Sequence, residues 1–213
     1  MSVRVKICGI TTPEALAAAA AAGADEVGFV FFPASPRALT PEQAGALSAR
    51  LPGGPGRVGL FVDPTDAELA ATLAQVPLDT IQLHGEETPA RVAAIRARFH
   101  RPVMKALGIA TAADLAAIPP QAAVADRLLL DAKPPPGAAL PGGNARPFEW
   151  RLMRGVAVGR PWLLAGGLTP ANVAEALAAS GAPGVDVSSG VERERGVKDA
   201  GLVARFVAAA RGG

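Results

Sequence analysis

The sequence holds a single cysteine, Cys8, no tyrosine and only two histidines in 213 residues. One thiol closes no internal disulfide, and without a second cysteine it builds no cysteine-rich metal site. Two histidines with no paired acidic ligands give no expectation of a metal centre. Charge of one sign is scarce as well. Lys and Arg number 21 against 19 Asp and Glu, a formal net charge of +2 with no basic block or stripe. The electrostatic footprint of a nucleic-acid partner is therefore absent. Long apolar runs are also lacking: the stretch from Ala15 to Ala22 is far too short for a bilayer, and no membrane partner is expected. The opening Met1-Ser2-Val3-Arg4-Val5-Lys6 does not have the basic-then-apolar order of a secretory signal. A reduced thiol and no leader point to the cytoplasm.

What is present suits one folded unit. Half of the residues are hydrophobic and 19% are charged, the opposite of a disordered composition. The length fits a single domain over 1–213 with a sizeable core. Alanine-rich stretches are interrupted at regular places, so they read as helices and not as low-complexity sequence.

Short apolar runs alternate with helical stretches almost from end to end. The strands read Val3–Cys8, Glu26–Phe31, Arg57–Val62, Thr80–Leu83, Val103–Ala106, Arg127–Asp131, Trp162–Ala165 and Gly184–Val187. The first helix opens at Thr12-Pro13-Glu14, where Thr12 caps and Pro13 lacks only a donor that would have no partner; it ends near Gly23. The others read Pro41–Arg50, Asp66–Gln75, Glu87–Arg98, Thr111–Ala117, Glu149–Arg154, Pro170–Ala179 and Lys198–Arg211. Strands of four to six residues, apolar throughout, are those of a parallel sheet buried on both faces. Eight strand–helix units predict a single α/β domain: an eight-stranded parallel (β/α)8 TIM barrel. The competing doubly wound sheet lacks its Gly-x-Gly-x-x-Gly turn. Lys133–Gly143, rich in Pro and Gly, reads as a loop after strand six.

In such barrels the site is built at the C-terminal ends of the strands. Cys8, Arg37, Gln82, His84, Lys105, Asp131, Gly166-Gly167, Asp186 and Ser188-Ser189-Gly190 all fall there. The glycines of loops seven and eight let backbone N–H groups approach an anion, which predicts a phosphate site at Gly166, Gly167, Ser188, Ser189 and Gly190. A lone thiol is commonly a small buried hydrophobe. Beside Gly9 at a strand end, however, Cys8 with a lowered pKa would serve as base or nucleophile. Asp131, after Leu128-Leu129-Leu130, is set to donate a proton if an apolar surrounding raises its pKa. Together they form an acid/base pair needing no metal or organic cofactor. Arg37 offers a fork for a carboxylate, or else a surface ion pair. Gln82, His84, Lys105 and Asp186 are further pocket candidates, with a structural place at the rim as the plainer reading.

Lys6-Ile7-Cys8-Gly9-Ile10-Thr11, Phe32-Pro33-Ala34-Ser35-Pro36-Arg37, Gly59-Leu60-Phe61-Val62, Gln82-Leu83-His84-Gly85, Leu129-Leu130-Asp131, Ala165-Gly166-Gly167-Leu168 and Asp186-Val187-Ser188-Ser189-Gly190-Val191-Glu192, followed by Gly196-Val197-Lys198-Asp199, run the length of the chain. In that order and spacing they resemble the phosphoribosylanthranilate isomerase family of tryptophan biosynthesis. The resemblance implies an aldose–ketose (Amadori) rearrangement of N-(5-phosphoribosyl)anthranilate without a cofactor. It makes Asp131 the general acid on the ring oxygen and Cys8 the general base at C2′. Arg37 would hold the anthranilate carboxylate, and Asp186 the ribose hydroxyls or its own loop. Such proteins occur as monomers or homodimers. The chain departs from the pattern at Ala38, Ala132 and Gly142-Gly143-Asn144-Ala145-Arg146. Two alternatives stay open: the related isomerase of histidine biosynthesis, which uses two aspartates, and a non-catalytic barrel that senses a phosphometabolite.

Overall fold

In the computed structural model, which describes residues 2–133 and 148–212, eight parallel strands close into a barrel in chain order. They are β1 (Arg4–Cys8), β2 (Glu26–Val30), β3 (Gly56–Phe61), β4 (Thr80–Leu83), β5 (Val103–Ile109), β6 (Arg127–Ala132), β7 (Trp162–Leu164) and β8 (Gly184–Val187). β1 pairs with both β2 and β8, so no strand of the barrel is left with an open edge. The helices are α1 (Pro13–Ala21), α2 (Pro41–Ala49), α3 (Asp66–Leu73), α4 (Pro89–Phe99), α5 (Ile118–Ala122), α6 (Val173–Ser180) and α7 (Ala200–Arg211).

Strand alternation divides the core in two. Val5, Ile7, Val27, Phe29, Ile81, Leu83, Leu128, Leu130 and Val185 face the helices in one large cluster. Val58, Met104, Ala106, Leu129, Leu163 and Ala165 form a separate small cluster inside the barrel. The register stacks the interior in layers of four from alternate strands. Lowest lie Glu26, Thr80, Arg127 and Gly184. Above them come Lys6, Val58, Met104 and Leu163, then Gly28, Gln82, Leu129 and Asp186. The next layer is Cys8, Leu60, Ala106 and Ala165, and the uppermost is Val30, His84, Asp131 and Ser188. The lowest layer is closed by charge. Arg127 from β6 reaches across the axis to Glu26 on β2 at 2.7 and 2.9 Å and to Thr80 Oγ1 at 2.9 Å.

The repeated threonine start signals act as read. Thr12, Thr40, Thr65 and Thr88 each accept a hydrogen bond from the backbone three residues on, and Thr40 and Thr65 complete capping boxes with Gln43 and Glu68. Elsewhere the helices differ from the sequence reading for local reasons. α4 starts at Pro89 and not at Glu87, because Glu87 turns inward to Lys105. Thr111–Ala117 is a 3-10 turn over Ala112–Ala117, and the α-helix follows it, with Pro119 and Pro120 tolerated in its first turn. Residues read as helix six form a 3-10 turn at Trp150–Met153. α6 begins at Val173, three residues late. Asn172 accepts from the Thr169 N–H and donates to the Gly167 carbonyl, bracing loop seven before the helix starts. Lys198, read as the start of the last helix, instead joins Val197 in a short strand pairing antiparallel with Glu192–Glu194; these two short strands are β10 and β9. Of the loop expected over Lys133–Gly143, and of Gly142–Arg146, only Lys133 falls within the described residues. No described helix is long and apolar enough to cross a membrane.

Candidate active site

A cavity opens where the upper layers end, at the C-terminal mouth of the barrel. Cys8, Arg37, His84, Asp131, Asp186 and all five residues of the expected phosphate loops line it. Apolar walls come from Val30, Phe32, Leu60, Val62 and Leu168, which exclude water and strengthen charge interactions inside. The separation of these residues in sequence is a product of the fold: they come from the ends of β1, β2, β3, β4, β6, β7 and β8 and the loops that follow.

Asp131, next to last in β6, has one carboxylate oxygen accepting from the Ala132 N–H at 2.8 Å. The other lies 3.4 Å from His84 Nε2. Gln82, two layers beneath, lies 3.2 Å from His84 Nδ1; in the tautomer with its proton on Nε2, His84 accepts there and points its N–H towards Asp131. Gln82 thus serves the site through His84 and does not itself line the cavity. Gly166 has φ +90°, and a β-carbon there would press into the Ala132 backbone at 2.6 Å and into Asp131 Oδ1 at 2.9 Å. Its lack of a side chain therefore lets loop seven pass over the aspartate, besides exposing backbone N–H groups.

Cys8 is 4% exposed, at the end of β1. Burial pushes its thiol up from the ordinary value, more strongly than the Lys6 and Lys198 ammonium groups draw it down, and Asp186 adds to the upward push. The lowered pKa expected from the sequence is not found. The surrounding cations offset desolvation without overcoming it.

Arg37 is placed at the cavity, but its fork is occupied. Nε and Nη2 donate to the two carboxylate oxygens of Glu192 at 2.7 and 2.8 Å. Among the described residues Nη1 donates to none, and it is the nitrogen left for a ligand. Lys198 bridges the same Glu192 at 2.7 Å and the Ser188 carbonyl at 3.0 Å. Burial disfavours the Glu192 charge, but Arg37, Lys198 and the Gly196 N–H outweigh it and hold the carboxyl down to about 2. Glu192 and Lys198 have only their place in a motif to mark them in the sequence, since Arg37 meets its partner 155 residues away.

Lys105 corrects the sequence reading. Met104 and Ala106 face the barrel interior, so Lys105 between them faces the helix layer. Its ammonium is buried against Glu87 at 2.8 Å and the Gly85 carbonyl at 2.6 Å, away from the cavity lining. Glu87 in turn accepts from the Asp63 and Gly85 N–H groups, so the pair holds the loop that carries His84. Counting positions from Met104 would have found this. Asp186 accepts from Lys6 Nζ at 2.7 Å while reaching the cavity wall. Among the described residues no three His, Cys, Asp or Glu side chains cluster as metal ligands.

Residues 5–209 match the family model described as N-(5'-phosphoribosyl)anthranilate isomerase. The N-(5'-phosphoribosyl)anthranilate isomerase of Paramagnetospirillum magneticum is 59% identical over 213 residues, covering 100% of this chain and 99% of that protein. That of Paracoccus denitrificans is 60% identical over 210 residues, covering 99% and 98%. Among solved structures, a phosphoribosylanthranilate isomerase in complex with reduced 1-(o-carboxyphenylamino)-1-deoxyribulose 5-phosphate superposes with a TM-score of 0.86 at 36% identity, covering 99% of each chain. Monomers generated from the dimeric Thermotoga maritima enzyme match with the same TM-score, identity and coverage.

Proposed function

We propose residue roles for this site on one premise: the chain belongs to the N-(5'-phosphoribosyl)anthranilate isomerase family. It is an isomerase of tryptophan biosynthesis. It converts N-(5'-phosphoribosyl)anthranilate to 1-(o-carboxyphenylamino)-1-deoxyribulose 5-phosphate by an Amadori rearrangement. The alternatives of a histidine-pathway isomerase and a non-catalytic sensor give way to that membership.

The rearrangement moves hydrogen within one molecule, oxidising C2′ and reducing C1′. In our assignment Asp131 gives its proton to the furanose ring oxygen as the C1′–O bond breaks. The anilino nitrogen's lone pair then forms the C=N bond of a Schiff base. Cys8, as thiolate, takes the proton from C2′. The C–H electron pair becomes the C1′=C2′ bond and the nitrogen recovers its pair, giving the enolamine. Loss of the 2′-hydroxyl proton and protonation at C1′ complete the ketone. The cavity shared by Cys8 and Asp131 is the observation that carries this assignment.

The competent pair has a thiolate and a carboxylic acid. It carries the same single proton as a thiol facing a carboxylate, so the two forms differ only in where that proton sits. A thiol raised by burial is less often ionised but is a stronger base when it is. His84 Nε2–H beside Asp131 supports the carboxylate once its proton has left. Arg37 Nη1 is assigned to the anthranilate carboxylate, with Glu192 fixing the guanidinium plane. Gly166, Gly167, Ser188, Ser189 and Gly190 are assigned to the phosphate, with Lys198 adding charge behind Ser188. Asp186 is assigned to the ribose hydroxyls. Residues 1–213 act in this reading as one barrel domain, in the cytoplasm, as a monomer or homodimer.

The test is turnover of purified Cys8→Ser and Asp131→Asn, followed by the loss of phosphoribosylanthranilate fluorescence. Each change is expected to cost about 10²–10⁴ in kcat with KM little altered. Wild-type turnover in either would sink that residue's role.

A further inference from the structure

We infer that Lys6 is a positioning residue for Cys8: its ammonium, enclosed beneath the thiol and anchored by Asp186, is the fixed positive charge against which Cys8 ionises. This rests on the reading of Cys8 as the base.

Lys6 and Cys8 are two apart on β1 and share its interior face. Lys6 has no solvent exposure at all, and its Nζ donates to Asp186 Oδ1 at 2.7 Å. Gly28 on β2 shows how close the two functional atoms come. A β-carbon on that glycine would lie 2.8 Å from Cys8 Sγ and 3.3 Å from Lys6 Nζ. Thiol and ammonium therefore converge on the one point that Gly28 leaves empty.

The layer that holds Lys6 is otherwise Val58, Met104 and Leu163, all buried and apolar. Packing there asks for another apolar side chain, and an ammonium is costly to desolvate. Burial opposes the charge of Lys6, but Asp186, with Cys8 and Glu26 adding to it, holds its pKa above the ordinary lysine value. The group is thus a cation across the whole working range, placed where solvent cannot screen it.

The other charges facing Cys8 do not replace it. Lys198 on β10 is tied to Glu192 and Ser188, and Arg37 from the loop after β2 is tied to Glu192. Asp186 on β8 opposes ionisation of the thiol, and Glu26 faces Lys6 from the layer beneath. Among these groups only Lys6 both favours the thiolate and shares its strand. A thiolate formed by loss of its proton finds the ammonium already in place, with no group having to move.

Because Cys8 is the only cysteine in the chain, its ionisation can be read directly from the ultraviolet absorbance of the thiolate during a pH titration. In Lys6→Met the midpoint of that titration is expected to rise by about one unit or more, with kcat at neutral pH falling roughly tenfold or more and KM changing less than about threefold. Removing Lys6 strands the Asp186 carboxylate and can cost folding. Asp186→Asn strands the Lys6 ammonium in its turn, whereas the double variant Lys6→Met/Asp186→Asn leaves neither charge unpaired, so both are compared as well. The thiolate midpoint is expected to lie higher in the double variant than in Asp186→Asn. Equal midpoints in this pair, or an unchanged midpoint in folded Lys6→Met, would overturn the inference and leave Lys6 as the counter-ion of Asp186 alone. A raised midpoint with wild-type kcat would uphold the charge coupling and instead sink the reading of Cys8 as base.

Discussion

At the lower end of the barrel, Glu26, Arg127 and Thr80 meet across the axis, with Arg4 reaching Glu26 at 3.5 Å from the edge. At the upper end, Cys8, His84, Asp131 and Asp186 come from β1, β4, β6 and β8 but do not close the axis, and a cavity lies between them. Both ends bury charge. Below, each formal charge has its partner directly opposite, and nothing remains for a ligand. Above, the partners lie beneath or behind: Lys6 under Asp186, Glu192 behind Arg37, Gln82 under His84. One edge of each upper group is thereby kept open to the cavity. Buried charge alone does not mark a site in this fold; what marks it is charge satisfied from one side only.

That contrast is sharpest in the effects of single substitutions. Asp131→Asn should lower kcat by about 10²–10⁴. Its urea unfolding midpoint should stay close to that of the parent, because the hydrogen bond from Ala132 survives. Glu26→Ala is the converse. It leaves the part-buried Arg127 without its carboxylate and should cost about 2 kcal/mol in unfolding free energy, with kcat and KM of the folded enzyme unchanged. A loss of turnover on the Glu26 change greater than its loss of folded protein would break the comparison.

A third effect is set by pH. The Glu192 carboxyl is held down to about 2 in the folded chain, below its ordinary 4.5. Its contribution to stability is therefore complete above the unfolded value and is lost as pH falls from there through the folded one. Glu192→Gln should remove on the order of 2 kcal/mol of stability at pH 7 and flatten the acid limb of the unfolding curve over that window. An acid limb as steep as the parent's would show that the clasp on Arg37 adds no pH-dependent stability. The smallest effect belongs to neither end. Thr65→Ala removes an exposed cap from α3 and should cost about 1 kcal/mol, with activity unchanged. Differential scanning calorimetry beside initial rates would check both.

The sequence is legible wherever the signal is local. Apolar runs gave all eight strands within a few residues, and Thr40-Pro41-Glu42 or Thr65-Asp66-Ala67-Glu68 started helices by chemistry completed inside one turn. Cys8, Asp131 and loops seven and eight were legible because a barrel sends every strand end to one face. Partnerships across the barrel were not. Arg37 reads as a fork waiting for a carboxylate, whereas Glu192 already fills most of it from the far end of the chain. Lys105 reads as a rim residue until the two-residue period of β5 sends it to the outer face. The thiol pKa depends on the balance of burial and Asp186 against Lys6 and Lys198, and no spacing in the sequence encodes that balance.

The seam between β1 and β8 has a consequence for synthesis of the chain. β1 carries Cys8 and Lys6 but obtains its second neighbour only when β8 arrives, about 180 residues later. Until then a growing chain presents β1 as an unpaired edge, with an ammonium that has no counter-ion and a thiol open to oxidants. α7 then packs beside α1, where Arg211 donates to the Gly23 carbonyl at 2.8 Å and pairs with Asp25 at 3.0 Å. Sealing the barrel and charging the active site are in this molecule one event. A ribosome stalled short of β8 would release a polypeptide with neither.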